Sequence, residues 1–150
     1  MQAREIMTKD PVCCTADDTV QKAAKTMAEH DCGCVPVVDD NKRVIGTLTD
    51  RDIVCRSVAE GKSADTPVRD VMSTDASCCR PDDDVRDVER VMSDRQVRRV
   101  PIVDEQGCCI GIVSQADLAR AKPRGVSDRE VSHVVERVSE PARGARADAR

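Results

Sequence analysis

The chain has 150 residues, with 24 Lys and Arg against 28 Asp and Glu and a formal net charge of −4, a balance that argues against a broad nucleic-acid surface. No stretch approaches the roughly 18 apolar residues of a membrane span, and the N-terminal MQAREIMTKD lacks a signal-peptide hydrophobic segment, so a cytoplasmic protein without membrane partners is expected. Phe, Tyr and Trp are all absent, so the core must be aliphatic, and any bound base must rest on aliphatic side chains and backbone.

In chain order, a short strand around Val12-Cys13-Cys14 leads to Thr15-Ala16-Asp17-Asp18, where Asp18 with Gln21 resembles a capping box. The helix that follows carries Val20, Ala23, Ala24, Met27 and Ala28 on one face and should end near His30-Asp31. Val35 to Val38 reads as a strand, Asp39-Asp40-Asn41-Lys42 as a hairpin turn, and Val44 to Leu48 as the return strand. A second helix opens at Thr49, with Ile53, Val54 and Val58 expected on its buried face, and Glu60 to Thr66 form a linker. The plan then recurs, without a gap, at an offset of 65 residues. Met7 matches Met72, Cys13-Cys14 matches Cys78-Cys79, Val35-Pro36-Val37 matches Val100-Pro101-Ile102, Gly46 matches Gly111 and Asp52 matches Asp117.

In the second copy Val85, Val88, Val91 and Met92 stripe the first helix, Val100 to Val103 and Ile110 to Val113 make the hairpin, and Pro123 closes the last helix. Beyond it the repeat is lost. Ser127 to Ser139 reads either as a short amphipathic helix through Val131, Val134, Val135 and Val138 or as a partly ordered tail, and the final PARGARADAR is expected to be disordered. This divides the chain into a first repeat over 1–62, a second over 67–122 and a C-terminal segment over 123–150. Each repeat is too small to bury a good core alone, so like should pack on like with a ligand cleft between the halves.

Nine cysteines are present, an odd number with three adjacent pairs and no secretory context, which makes a disulfide framework a poor reading. No C-x-x-C pair of the structural zinc kind occurs, and Cys32-Gly33-Cys34 is a weak metal signal. Most of the cysteines lie in short apolar runs, where a thiol packs as a small hydrophobe. The two histidines, His30 and His133, sit in no triad or metal motif, and Asp39-Asp40 and Asp82-Asp83-Asp84 read as turn and helix-start acids. An enzyme is not expected, and no catalytic or metal-ligating residue is assigned.

Two junctions carry the chemistry. Gly46-Thr47-Leu48-Thr49-Asp50-Arg51-Asp52 and Gly111-Ile112-Val113-Ser114-Gln115-Ala116-Asp117 share a glycine, two strand residues, a hydroxyl, two free positions and an aspartate. A hydroxyl at a helix start sits beside unpaired N–H groups that favour phosphate. A carboxylate one turn on can accept from both ribose hydroxyls. Taken singly, each hydroxyl is as well explained as a helix cap with an acid in the first turn.

With Val-Pro-Val or Val-Pro-Ile and a hairpin before them, these junctions resemble the CBS domain in its tandem pair, over roughly residues 4 to 122. The resemblance implies an α/β (α+β) fold of two β-α-β-β-α repeats related by a pseudo-two-fold axis, with an adenine held between the halves. It implies one site in which Ser114 and Asp117 meet Pro11, Val12, Cys32 and Gly33. In the other, Thr49 and Asp52 meet Ala76, Ser77, Val97 and Arg98. Arg98-Arg99 stand where related nucleotide sensors place basic residues toward phosphate, which implies tighter phosphate binding at the Asp117 site. Arg51 is the substitute at the Asp52 site.

The function so implied is a regulatory module for adenine nucleotides, AMP first and then ADP, ATP, NAD or S-adenosylmethionine. It would work as a homodimer and signal to an effector protein in trans. Two alternatives stand beside it: a cysteine-based redox or metal sensor using Cys32 and Cys34, and a stress-related dimer that binds no nucleotide.

Overall fold

The structure is a computed structural model that describes residues 1–121 and 125–140; the expectations for Pro123 and for the final ten residues lie outside them. The strands are β1 (Thr8–Lys9), β2 (Cys14–Thr15), β3 (Cys34–Val38), β4 (Val44–Thr49), β5 (Arg99–Val103) and β6 (Cys109–Ser114). The helices are α1 (Val20–His30), α2 (Asp50–Ile53), α3 (Val85–Arg95), α4 (Gln115–Arg120) and α5 (Asp128–Ser139). The result is the expected mixed α+β fold of two repeats.

Each repeat builds a small sheet. β2 runs parallel to β3 and β3 antiparallel to β4. In the second repeat β5 pairs antiparallel with β6, and Cys79 bridges Ile102 in parallel. The segment that begins each repeat, however, completes the other repeat's sheet. β1 pairs with β6, Thr8 opposite Ile112 and Lys9 opposite Gly111, and Ser73 bridges Thr47 of β4. The same exchange closes the helix starts: Val85 N–H donates to the Met1 carbonyl at 2.9 Å and Val20 N–H to the Thr66 carbonyl at 2.8 Å. The two hairpin tips also meet, Arg43 bridging Cys108.

The cores follow this exchange. Cys14, Val20, Ala23, Met27, Val35, Val37 and Leu48 pack with Val68 and Val71 from the start of the second copy. Cys79, Val85, Val88, Met92, Val100, Ile102, Val113 and Leu118 pack with Ala3 from the start of the first. The cysteine reading holds for Cys14, Cys34 and Cys79, which are buried, whereas Cys55 is exposed. Burial pushes these thiols up, Cys14 to about 12 and Cys34 and Cys79 to about 11, so they stay protonated and inert.

Three expectations are corrected. The α1 cap is Thr19, whose hydroxyl accepts from Lys22 N–H at 3.1 Å. Asp18 instead closes the preceding turn, accepting from Thr15 N–H at 2.9 Å. Val54 and Val58 are not buried but 58% and 68% exposed, because α2 lasts one turn and continues over Val54–Val58 as a π-turn. Its wider i→i+5 spacing breaks the α-helical stripe and turns Ser57 inward instead. Of the α1 stripe, Ala28 is exposed.

The alternative of a partly ordered tail gives way to helix α5, which is capped by a reciprocal box between Ser127 and Glu130. Its Val131, Val134 and Val138 are buried against α3 and α4, while Val135 stays 39% exposed.

Candidate functional site

Both junctions form the same reciprocal cap. At the first, Asp52 N–H donates to Thr49 Oγ1 and Thr49 N–H to Asp52 Oδ2, each at 3.0 Å. At the second, Ser114 N–H and hydroxyl both donate to Asp117 Oδ2 at 2.7 Å, and Asp117 N–H returns a bond to Ser114 Oγ at 3.2 Å. Hydroxyl and aspartate thus serve each other as a capping box. Among the described residues, the second oxygen of each carboxylate meets only an arginine of the next turn: Asp52 Oδ1 is 4.0 Å from Arg56 and Asp117 Oδ1 is 3.5 Å from Arg120. Both arginines are largely exposed, and such pairs yield readily to a competing donor.

The segment before each Val-Pro sits on the helix start of its own half. The Gly33 carbonyl accepts from Asp50 N–H at 3.0 Å, and the Arg98 carbonyl from Gln115 N–H at 2.9 Å. A Cβ at Gly33 would stand 2.9 Å from Asp50 Oδ2, the free end of a side chain that can turn aside.

Cys34 and Arg99, equivalent positions of the two copies, act on each other electrostatically across the halves. The Arg99 guanidinium draws the Cys34 thiol down, though less than burial raises it, and Asp52 raises it further. Arg98, Arg99 and Ser114 line one cleft of about 310 Å³ with Gln115, Ala116 and Ala119 of α4 and with Val131 and Val135 of α5. Asp117 is not among its lining residues. On the helix it projects away from Gln115, Ala116 and Ala119.

The remaining candidates sit as follows. Val12 and Cys32 pack against the first core and Val97 against the second. Pro11 and Ala76 occupy equivalent places, their carbonyls accepting from the thiols of Cys13 and Cys78 at 3.4 and 3.5 Å. Ser77 is half-buried and Arg51 exposed. Sequence reasoning did not anticipate that α5 would wall the Arg98–Ser114 cleft. The only signal for it was the valine spacing itself.

Two repeats that exchange leading strands and present matched hydroxyl–aspartate junctions define a tandem-repeat pair of one fold. The chain belongs to the CBS-domain family, whose family model matches residues 3–58 and 68–124. It is 39% identical over 116 residues to the CBS domain-containing protein YhcV of Bacillus subtilis, covering 77% of this chain and 81% of the relative. It is 37% identical over 122 residues to hypoxic response protein 1 of Mycobacterium tuberculosis, covering 81% and 85%. A crystal structure of the latter protein with two coordinated zinc ions superposes with a TM-score of 0.74 at 36% identity, over 80% of this chain and 98% of that one. CBSX2 in complex with AMP superposes at 0.73 with 25% identity, over 82% and 96%.

Among the described residues no group of three or more His, Cys, Asp or Glu side chains is placed to hold a metal ion. No helix among them is long and apolar enough to cross a membrane.

Proposed function

We propose that this chain is a regulatory module that binds an adenine nucleotide between its repeats, AMP in first place, and passes the occupancy to a partner protein in trans. The observation that carries the reading is the duplicated cap. Each aspartate has one oxygen fixed by backbone donors and the other, among the described residues, held by an exposed arginine, the arrangement a ribose hydroxyl pair can enter. The likeness to a protein crystallised with AMP supports the ligand class. Arg98 and Arg99 are the groups proposed to meet phosphate, since a guanidinium grips phosphate oxygens in pairs. Binding then shifts the balance between arrangements of the halves by its differential affinity for them. Val54 and Val58 give a second copy an apolar face on the first repeat, and Val58→Glu should lower the mass seen by sedimentation if that face dimerises.

Calorimetric titration of the reduced protein with AMP, ADP, ATP and S-adenosylmethionine tests the reading. Saturable binding that is lost in Asp117→Ala supports it. Absence of heat with all four ligands overturns it.

A thiol-based response is the second reading, and one juxtaposition favours it: the Cys13 and Cys109 thiols, one from each repeat, each shift the other's titration, while donating to the Pro11 and Gly111 carbonyls. The sequence pointed instead to Cys32 and Cys34, but Cys34 is buried and held protonated.

A further inference from the structure

Away from both junctions, a groove of about 430 Å³ runs between α3 and α5. Glu89 and Ser93, one turn apart on α3, line it while being only 9% and 5% exposed. Among the described residues, Glu89 Oε1 and Ser93 Oγ are buried without a hydrogen-bond partner. Two orphaned polar atoms on one helix face are costly unless something completes them. An acceptor beside a hydroxyl calls for a group with several donors, and an ammonium carries three.

The rest of the groove is basic as well as acidic. Arg86, Arg90 and Arg129 are set against Glu89, Asp94 and Glu130 along the lining. Arg86 is 3.5 Å from Glu130 and Arg90 is 3.2 Å from Asp87, while Arg129 is exposed and has no ion pair among the described residues. A lining with as many cations as anions rejects a ligand of large net charge and suits one that carries both signs.

We propose that this groove is a binding site for a small zwitterion of the α-amino acid kind, its ammonium on Glu89 and Ser93 and its carboxylate toward Arg90 and Arg129. One wall is α5, which begins after the last residue of the family match, so the site lies partly outside the two repeats and is independent of the nucleotide reading. The groups facing Glu89 are Arg86, Arg90 and Asp94 of α3 with Arg129, Glu130 and His133 of α5. Glu89 is pushed up to about 7, first by burial and then by Glu130. An arriving ammonium favours the ionised carboxylate, so binding near neutral pH releases a proton.

The test is calorimetric titration of the full chain with each L-α-amino acid in turn, in two buffers of different ionisation heat. The corresponding amines without carboxylate and carboxylates without amine serve as controls, and the series is repeated on Glu89→Gln and Arg129→Ala. The proposal expects saturable binding of at least one amino acid with proton release, and roughly tenfold or greater weakening in either variant. Arg129 is exposed, so its variant carries the test should Glu89→Gln fail to fold. Binding of no amino acid, equal binding of the bare amine, or unchanged affinity in the variants would overturn it.

Discussion

Gly46 passes so close to Ser73 that a Cβ added to it would stand 2.4 Å from the Ser73 carbonyl oxygen. The equivalent Gly111 lies against Met7, where a Cβ would meet Sδ at 2.4 Å and the Thr8 carbonyl at 3.2 Å. These glycines open both junction patterns because the exchanged segment crosses over them. Gly46→Ala must displace backbone and should cost about 1–3 kcal/mol. Gly111→Ala first displaces a flexible methionine and should cost less, with Met7→Ala recovering part of the loss. Urea midpoints of the three variants check the order, and equal costs at the two glycines would contradict it.

The repeat, the hairpins and both caps were legible because each is local: a period, a turn acid or a hydroxyl three residues before a carboxylate. Asp39 and Asp104 accept from the backbone of their turns as turn acids do. The exchange of leading segments was not legible. An offset pairs Ala3 with Val68 whether each packs on its own half or on the other, so the pattern is blind to the choice. Val54 and Val58 failed for another reason, since helical spacing assumes an α-period that the π-turn breaks. Glu89 sits in a helix between apolar positions with no residue nearby in sequence to announce its burial. Only the packing of α5 reveals it.

The two repeats should differ in stability at matched positions. Leu118 is fully buried beneath α5, whereas its equivalent Ile53 is only partly buried at a helix of one turn. Leu118→Ala should cost about 2–5 kcal/mol, the usual range for a buried leucine, and Ile53→Ala clearly less. Denaturant unfolding of both variants decides it. A larger loss at Ile53 would mean that α5 does not hold the second repeat.

Oxidation should join Cys13 to Cys109 before any other pair. The neighbouring Cys109 thiol holds the Cys13 thiol below its ordinary value, against burial and with help from Lys42, while Cys109 is pushed up. The Cys13 thiolate attacks hydrogen peroxide to give a sulfenic acid and hydroxide, and the Cys109 thiol displaces water from it to close the disulfide. Together the two thiols give up two electrons and two protons, and the peroxide leaves as two waters. Peptide mapping after mild peroxide should find this bridge, with the free-thiol count falling by two, and in Cys13→Ser the Cys109 thiol should stay free. A first bridge elsewhere would refute the order.

Glu89 should make stability depend on pH in the sense opposite to that of a salt-bridged acid. Its carboxyl is raised from the usual 4.5 to about 7, by burial first, by Glu130 next, against Arg86 and with Asp84. Between those values the folded state binds more protons than the unfolded, so the slope of stability with pH is negative there. The contribution of protonated Glu89 is whole below about 4.5 and is lost as pH rises through about 7. Glu89→Gln removes this dependence, because a neutral amide of the same shape replaces the acid. The variant should match the parent protein in acid and exceed it in stability above about pH 7, as thermal unfolding at a series of pH values would show. A variant less stable than the parent at alkaline pH would mean that the ionised carboxylate is held by a partner and not orphaned in the groove.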